Sequence, residues 1–440
     1  MIFDKLLNYS IEIKNWLLSR KDSNFVNIKQ IKFHEMDKWY FDNETENIKH
    51  KTGKFFSIIG VDIQTNWGLI PHWTQPIIKQ PEIGLLGIIT REIDDELYCL
   101  MQAKIEPGNL NYIQLSPTLQ ATKSNYLQVH QGKKPVYLEY FINRSNEVLV
   151  DQLQSEQGSR FIKKRNRNII IKLEDKIPVY ENFKWLKLKS IVQLLNIDNM
   201  INMDTRTVIS GLLFMDKKDQ NIFENSLFSF SDIIKWLTHL KTLYELEINE
   251  ISLNNVKSWI KTNNRIYHKE NKYFEIIPLK VTIEGREVSK WTQPMIKAKQ
   301  EGICVFVIKK INGVFHFLVQ GKVECGNFDI VEMAPTVQCL TGNYKETGPG
   351  KLSYLDYVLN AREDQIIYDV MQSEEGGRFF NEQNRNMIVL ADESLPTNTP
   401  DNYIWMTLWQ IQRFIMFNNF FNIQARSLIA PFVTRENEFS

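Results

Sequence analysis

The chain repeats itself. Gln154–Asn168 reads QSEQGSRFIKKRNRN, and Gln372–Asn386, 218 positions later, reads QSEEGGRFFNEQNRN. The same offset carries Trp73-Thr74-Gln75-Pro76 onto Trp291-Thr292-Gln293-Pro294, and Glu106, Gly108 and Asn109 onto Glu324, Gly326 and Asn327. It also carries Pro117, Thr118 and Gln120 onto Pro335, Thr336 and Gln338, Asn125-Tyr126 onto Asn343-Tyr344, and His50 and Phe56 onto His268 and Phe274. Near the end of each copy the offset grows to 220, where Arg206-Thr207-Val208-Ile209 meets Arg426-Ser427-Leu428-Ile429. So long a period excludes a solenoid, whose units run about 20–50 residues, and requires a duplicated domain. Most shared residues are Gln, Asn, Ser, Glu, Arg, Trp and Pro, a set that suits a polar pocket better than a core.

At 440 residues there is room for two or three domains, and each copy is long enough to bury its own core. A net charge of +1 argues against a general electrostatic nucleic-acid binder. The basic run Lys163–Arg167 keeps one of its four charges in the second copy, Asn381–Arg385. It reads either as a solvated stretch or as a phosphate contact, for which arginine offers bidentate geometry. Cys99, Cys304, Cys325 and Cys339 form no CxxC and have no histidine cluster beside them, which argues against a zinc site or a disulfide framework. They are expected as buried thiols in a reducing cytoplasm. The N-terminal stretch is apolar but broken by charges, so it reads as an amphipathic helix and not as a signal peptide. No run approaches 18 apolar residues, so no membrane span is expected.

The periodicity divides the chain into a helical lead-in (1–49), a first repeat (50–215), a helical connector (216–265) and a second repeat (266–440). Strands are expected at Phe55–Val61, Ile83–Thr90 and Leu97–Lys104, the last two joined at Asp94-Asp95. Ile303–Ile308 and Val314–Lys322 are joined at Asn312-Gly313, a strong hairpin signal. Val136–Ile142, Asn168–Leu173 and Asn386–Leu390 also read as strands, whereas Asp151–Phe161 and Asp369–Phe379 read as entering helices. Amphipathic helices are expected at Leu188–Leu195 and Leu408–Phe417. Gly108 and Gly326 are assigned a positive φ. Each half is then α+β, a mixed sheet with helices packed on it.

Several segments suit a ligand. Ser116–Tyr126 crowds hydroxyls, amides and a phenol without a hydrophobic period, which favours a hydrogen-bonding loop over a core. QSEQGSR and QSEEGGR set Glu156, Glu374 and Glu375 beside glycines, with Arg160 and Arg378 close behind. Carboxylates move protons and arginines hold a diphosphate, although Glu–Arg at i,i+4 on a helix would be a plain ion pair. Trp39, Trp73 and Trp291 are either core residues or stacking platforms. His130 meets Gly348 in the second copy, so it is a possible acid or base for one half only. No P-loop, GxSxG, dinucleotide-binding turn or HExxH is present.

With these motifs the chain resembles the NDP-hexose 2,3-dehydratases. The resemblance is carried by WYFDNETENIKHKTGKFF (Trp39–Phe56), WTQPIIKQPEIGLLG (Trp73–Gly87), EPGN (Glu106–Asn109), LSPTLQATKSNYLQVHQG (Leu115–Gly132), QSEQGSRFIKKRNRN and their second copies. It implies a tandem duplication of a Nudix-hydrolase-like domain, a homodimer, a cytoplasmic enzyme, and no metal or other cofactor. The glutamate-rich Nudix box is missing. It implies a dTDP-linked 4-keto-6-deoxyhexose as substrate, with no nucleic acid or membrane partner. The C4 ketone acidifies the C3 hydrogen, a base removes it, and the C2 hydroxyl leaves as water. Under this resemblance Glu374, Glu375 and Tyr344 are the proton-transfer candidates, with Glu156 and His130 as first-copy alternatives. Substrate contacts are expected from Trp39, Ser124, Asn125, Tyr126, Leu127, Gln128, Ser155, Ser159, Trp291, Gly376, Gly377, Arg378, Asn384 and Arg385. Differences at His130/Gly348, Ser159/Gly377 and Lys164/Glu382 point to one catalytic pocket, the other copy binding ligand only. A Nudix-type nucleotide-sugar hydrolase and a non-catalytic nucleotide-sugar binder are the alternatives.

Overall fold

The computed structural model describes residues 2–123, 134–142, 145–212, 225–284, 288–340 and 352–434. It is a mixed α+β structure in which each repeat builds the same seven-stranded sheet. In the first, the strands Glu147–Ser155, Arg165–Lys172, Gly84–Ile93, Glu96–Ile105 and Phe183–Lys187 lie in that spatial order, with Ile113–Ser116 and Leu119–Ala121 paired alongside. The second follows with Ile366–Ser373, Gln383–Leu390, Gly302–Ile311, Val314–Lys322 and Tyr403–Thr407, flanked by Glu332–Ala334 and Val337–Leu340. In each sheet one pair is parallel, Arg165–Lys172 with Gly84–Ile93 and Gln383–Leu390 with Gly302–Ile311.

Both expected hairpins form. Asp94 and Asp95 turn at φ 51° and 57°, and Asn312 and Gly313 at 51° and 85°. Positive φ at both central residues matches the right-handed twist of the flanking strands, which is why Asp, Asn and Gly occupy these positions.

The two repeats exchange strands. The lead-in helix Ile2–Asp22 buries Ile13 and Leu17 and is followed by the strand Val26–Gln30, which pairs with Phe274–Ile283 of the second repeat. Reciprocally, the helix Phe230–Leu243 leads to the strand Leu246–Ile251, which pairs with Ser57–Thr65 of the first repeat. Ser229 and Asp232 cap that second helix in a capping box, and Ile233, Leu237 and Leu240 form its buried face at helical spacing. Each lead-in is therefore helix and then strand, not helix throughout, and each completes the five-stranded sheet of the other copy.

Three local expectations are corrected. Leu138–Ile142 is a short helix with Leu138 and Phe141 buried, where a strand was expected. Asp151–Phe161 and Asp369–Phe379 do not enter helices, since Glu147–Ser155 and Ile366–Ser373 are strands ending in tight turns. Gly108 and Gly326 do not have positive φ. They are glycine because the chain of the other repeat passes too close. A Cβ on Gly108 would lie 1.7 Å from the Phe379 carbonyl oxygen, and one on Gly326 would lie 1.7 Å from that of Phe161. Gly108 N–H donates to the Gly376 carbonyl (2.7 Å), and Asn381 N–H donates back to Gly108 (2.8 Å). The EPGN turn of the first repeat thus docks on the QSEEGGRF turn of the second.

Cys99, Cys304 and Cys325 are buried, Cys339 is partly buried, and all four are free thiols. No helix among the described residues is long and apolar enough to cross a membrane.

Candidate active site at the junction of the repeats

The docking of the two copies encloses a cavity of about 320 Å³. Its floor comes from the first repeat, through Gly84, Leu86, Lys104, Glu106, Gln120, Glu156, Lys164 and Asn166 of the sheet and its flanking turns and Asp204 of the helix Met203–Ile209. One wall is the segment Trp39–Phe56, with Trp39, His50 and Phe56, and the opposite wall comes from the second repeat, with Trp291, Thr292, Gln293, Glu375, Gly377 and Arg378. Neither repeat alone makes this site.

Many of the repeated polar residues hold the walls in place. In WTQP, Trp291 Nε1 donates to Gln293 Oε1 (3.1 Å), and Gln293 Nε2 donates to the Gly377 carbonyl (2.8 Å). Trp73, Gln75 and Ser159 repeat this relay in the other copy. Asn166 bridges the floor, accepting from Gly84 N–H (3.1 Å) and donating to Glu156 Oε1 (2.5 Å). Gln120 donates to Glu106 Oε1 (2.9 Å), while Lys104 pairs with the same oxygen at 3.4 Å. Trp39 is buried, with Nε1 on the Thr292 carbonyl (2.7 Å) and its ring tilted over Phe56 at 4.8 Å. The Arg378 guanidinium lies 4.3 Å from the Phe56 ring centroid and donates to the Gly377 carbonyl (2.9 Å).

Seven charged lining residues are buried or partly buried: Glu106, Glu156, Asp204 and Glu375 against Lys104, Lys164 and Arg378. Arg426, buried near Glu156, adds a fourth cation, so it is burial beside other carboxyls, not a shortage of cations, that favours a protonated carboxyl here. Asp204 fits this description best. Its carboxyl takes part in no hydrogen bond with any described residue, and burial, aided by Glu375, Glu156 and Glu106, pushes its pKa well above the usual carboxylate range. Burial also raises Glu156 against the pull of Lys164 and Arg426, and raises Glu375 to about 7 against the pull of Arg378. Burial lowers Lys164 to about 8, opposed by Glu156.

The pseudo-equivalent place in the second copy keeps buried carboxyls, Glu324, Glu374 and Glu382, but in a different arrangement. Glu375 corresponds to Gln157, Asp204 to Gln424 and Lys164 to Glu382. There Gln157 Nε2 donates to Glu374 Oε2, and Asn384 Nδ2 donates to Glu374 Oε1. A neutral amide saturates the carboxylate. In the first-sheet cavity the amide is replaced by a second carboxyl, and Glu156 Oε2 is buried with no hydrogen-bond partner.

The expected site residues therefore separate. Trp39, Trp291, Gly377, Arg378, Glu375 and the alternative Glu156 line the cavity. Glu374 does not, because neighbours on an extended chain point to opposite sides, and it serves the second copy's polar nest together with Asn384. Gly376 is the docking point for Gly108. Ser155 donates to Glu332 Oε2 (2.7 Å) in the buried seam between repeats, and Ser159 offers its carbonyl to Gln75. Arg385 forms a surface fork with Asp369 (2.8 and 2.5 Å). Ser124, Asn125, Tyr126, Leu127, Gln128, His130 and Tyr344 lie outside the described residues. The residue missed by sequence reasoning is Asp204, although the 220 offset that aligns Arg206 with Arg426 also sets it against Gln424. Among the described residues no group of three or more His, Cys, Asp or Glu side chains is arranged to hold a metal.

Comparison with known proteins agrees with the duplication. The family model described as NDP-hexose 2,3-dehydratase matches twice, over residues 10–212 and 230–432, so each match includes its lead-in. Three curated proteins named dTDP-4-dehydro-6-deoxy-alpha-D-glucopyranose 2,3-dehydratase are similar over nearly the whole chain. The one from Saccharopolyspora spinosa is 42% identical over 95% of this chain and 90% of its own length. Those from Streptomyces violaceoruber (40%; 94% and 95%) and Amycolatopsis orientalis (39%; 95% and 89%) follow. With both repeats matched and relatives this close, the chain belongs to the NDP-hexose 2,3-dehydratase family.

Proposed function

We propose that this chain removes water across C2 and C3 of a dTDP-linked 4-keto-6-deoxyhexose in the cavity between the repeats. The observation that carries the reading is the group Glu156, Glu375 and Asp204 in that cavity, where the other copy has Glu374, Gln157 and Gln424. A base takes the C3 proton, and its electrons pass into the C4 ketone as an enolate. Collapse of the enolate expels the C2 hydroxyl, which leaves as water once an acid protonates it. The enol left at C3 tautomerises to the 3,4-diketo-2,6-dideoxy sugar, so no electron is gained or lost overall.

Glu375, whose pKa near 7 matches working pH, takes the C3 proton, with Glu156 as the facing carboxyl that shares it. Asp204, held protonated, is the acid for the C2 hydroxyl. Lys164 donates to the developing C4 oxyanion, the kind of preorganised charge that supplies most transition-state stabilisation. Arg378 grips the diphosphate, and Trp39 and Trp291 flank the nucleotide sugar. The reading includes a Nudix-like ancestry, supported by the mixed sheet with one parallel pair in each repeat. It also includes a cytoplasmic homodimer, where four free thiols fit a reducing setting.

The test is Glu375→Gln beside Glu374→Gln, each incubated with dTDP-4-keto-6-deoxyglucose and followed for loss of water. Glu375→Gln is expected to lose turnover by about 10²–10⁴-fold, the usual worth of a general acid or base, and Glu374→Gln much less. Near-normal turnover in Glu375→Gln rejects the assignment.

A further inference from the structure

We propose that Arg426, carried by the second repeat, is a positioning residue for the first repeat's cavity: it fixes the peptide that presents Glu156 and places a positive charge behind that carboxyl. Arg426 is almost wholly buried on the helix Ile423–Ile429. Its Nη2 donates to the Ser155 carbonyl (2.6 Å), its Nε to Thr207 Oγ1 (2.8 Å) and its Nη1 to the Phe421 carbonyl. The Ser155 carbonyl and the Glu156 N–H belong to one peptide plane. Arg426 holds the first, and the Lys164 carbonyl accepts from the second at 2.9 Å. Both ends of the plane are pinned, so the direction in which Glu156 leaves the backbone is set. One pin is the other repeat, and the other is a residue whose side chain lines the same cavity.

The partner arrangement makes the same point. Arg206 Nη2 donates to the Ser373 carbonyl (2.6 Å), and Glu374 N–H to the Glu382 carbonyl (2.9 Å), so the second copy pins Glu374 in the same way. The device belongs to the duplication, but only the Arg426 copy ends on a residue that lines the cavity. Glu156 also faces Lys164 and Arg378 as cations, with Asp204 and Glu375 as carboxyls. Arg426 additionally faces Glu332. Removing the Arg426 charge therefore raises the pKa of Glu156 and moves the acid limb of turnover to higher pH.

The inference rests on the reading that Glu156 takes part in proton transfer. It is tested in the full chain with Arg426→Met, Arg426→Lys and Glu156→Gln, measuring kcat, KM and their pH profiles. Arg426→Met is expected to lower kcat by about 10²-fold, the cost of a misplacement of about 1 Å, with KM little changed and the acid limb shifted up. Arg426→Lys keeps the charge without the fork, so kcat falls less and the limb stays in place. In a Glu156→Gln background, Arg426→Met is expected to add less than about threefold, because residues acting as a unit are not additive. A folded Arg426→Met with wild-type kcat and limb overturns the inference. If Arg426→Met does not fold, wild-type kcat in Arg426→Lys overturns it. Normal turnover in Glu156→Gln alone rejects the underlying reading instead.

Discussion

Replacing Glu375 by glutamine makes the first-sheet cavity resemble its pseudo-equivalent, and the effect on stability can be worked out. In the second copy Gln157 Nε2 caps Glu374 Oε2, whereas Glu156 Oε2 has no partner. Glutamine at 375 supplies an amide to that oxygen, and satisfying a buried acceptor is worth about 1–3 kcal/mol. It also removes a carboxyl whose pKa rises from 4.5 to about 7 on folding. The sign follows from linkage. A carboxyl with a raised folded pKa binds its proton more tightly in the native state, so the wild type loses stability as pH rises from about 4.5 to about 7. At 1.36 kcal/mol per unit the full loss is about 3 kcal/mol, an upper bound because Glu375 is only partly buried and solvent screens it. With an unfolding entropy of about 2.1 cal/mol/K per residue, 440 residues turn each kcal/mol into about 1 °C of Tm. Glu375→Gln is therefore expected to melt about 1–6 °C higher than wild type at pH 8, with the advantage shrinking toward pH 5, while turnover collapses. Calorimetric scans at the two pH values, with dehydration assays on the same samples, check this. A variant that is less stable at pH 8, or whose advantage does not change with pH, refutes the carboxyl pairing.

The converse change, Gln157→Glu, puts a second carboxyl against Glu374, which burial and Glu382 already hold at about 8. It should lower Tm above neutral pH and leave turnover within about twofold, as read by melting curves and initial rates. Asp204→Asn removes the protonated acid. It should lower kcat by about 10²-fold or more while the alkaline limb set by Lys164, at about 8, stays in place, seen in kcat from pH 6 to 9. Gly108→Ala forces a Cβ to 1.7 Å from the Phe379 oxygen and should cost more than about 3 kcal/mol of stability, measured by denaturant unfolding.

How much of this was legible in the residues depends on how local the cause is. The duplication, the Asp94-Asp95 and Asn312-Gly313 hairpins and the presence of a helix within 216–265 have local signals. The exchange of Val26–Gln30 and Leu246–Ile251 has none. It pairs segments more than 180 residues apart, and only tertiary packing selects the partner strand. Val136–Ile142 is too short for its period to separate strand from helix. Gly108 carried the right residue for the wrong reason, since close approach and positive φ both demand glycine. Within the site, adjacency misled. Glu374 and Glu375 looked like one group, but an extended chain sends neighbours to opposite faces and so into different copies. Asp204, near the start of the helix Met203–Ile209, has no local signal that sets it apart, and only folding places it among three other carboxyls.

The central claim is that water is eliminated in the cavity where the repeats meet, by Glu375 and Asp204, whose counterparts in the other copy are Gln157 and Gln424. The most direct measurement is mass analysis of dTDP-4-keto-6-deoxyglucose after incubation with wild type, Glu375→Gln and Glu374→Gln. The account predicts a product lighter by one water from wild type and from Glu374→Gln, and unchanged substrate from Glu375→Gln. Release of dTMP by wild type, or loss of dehydration in Glu374→Gln with Glu375→Gln still active, contradicts it.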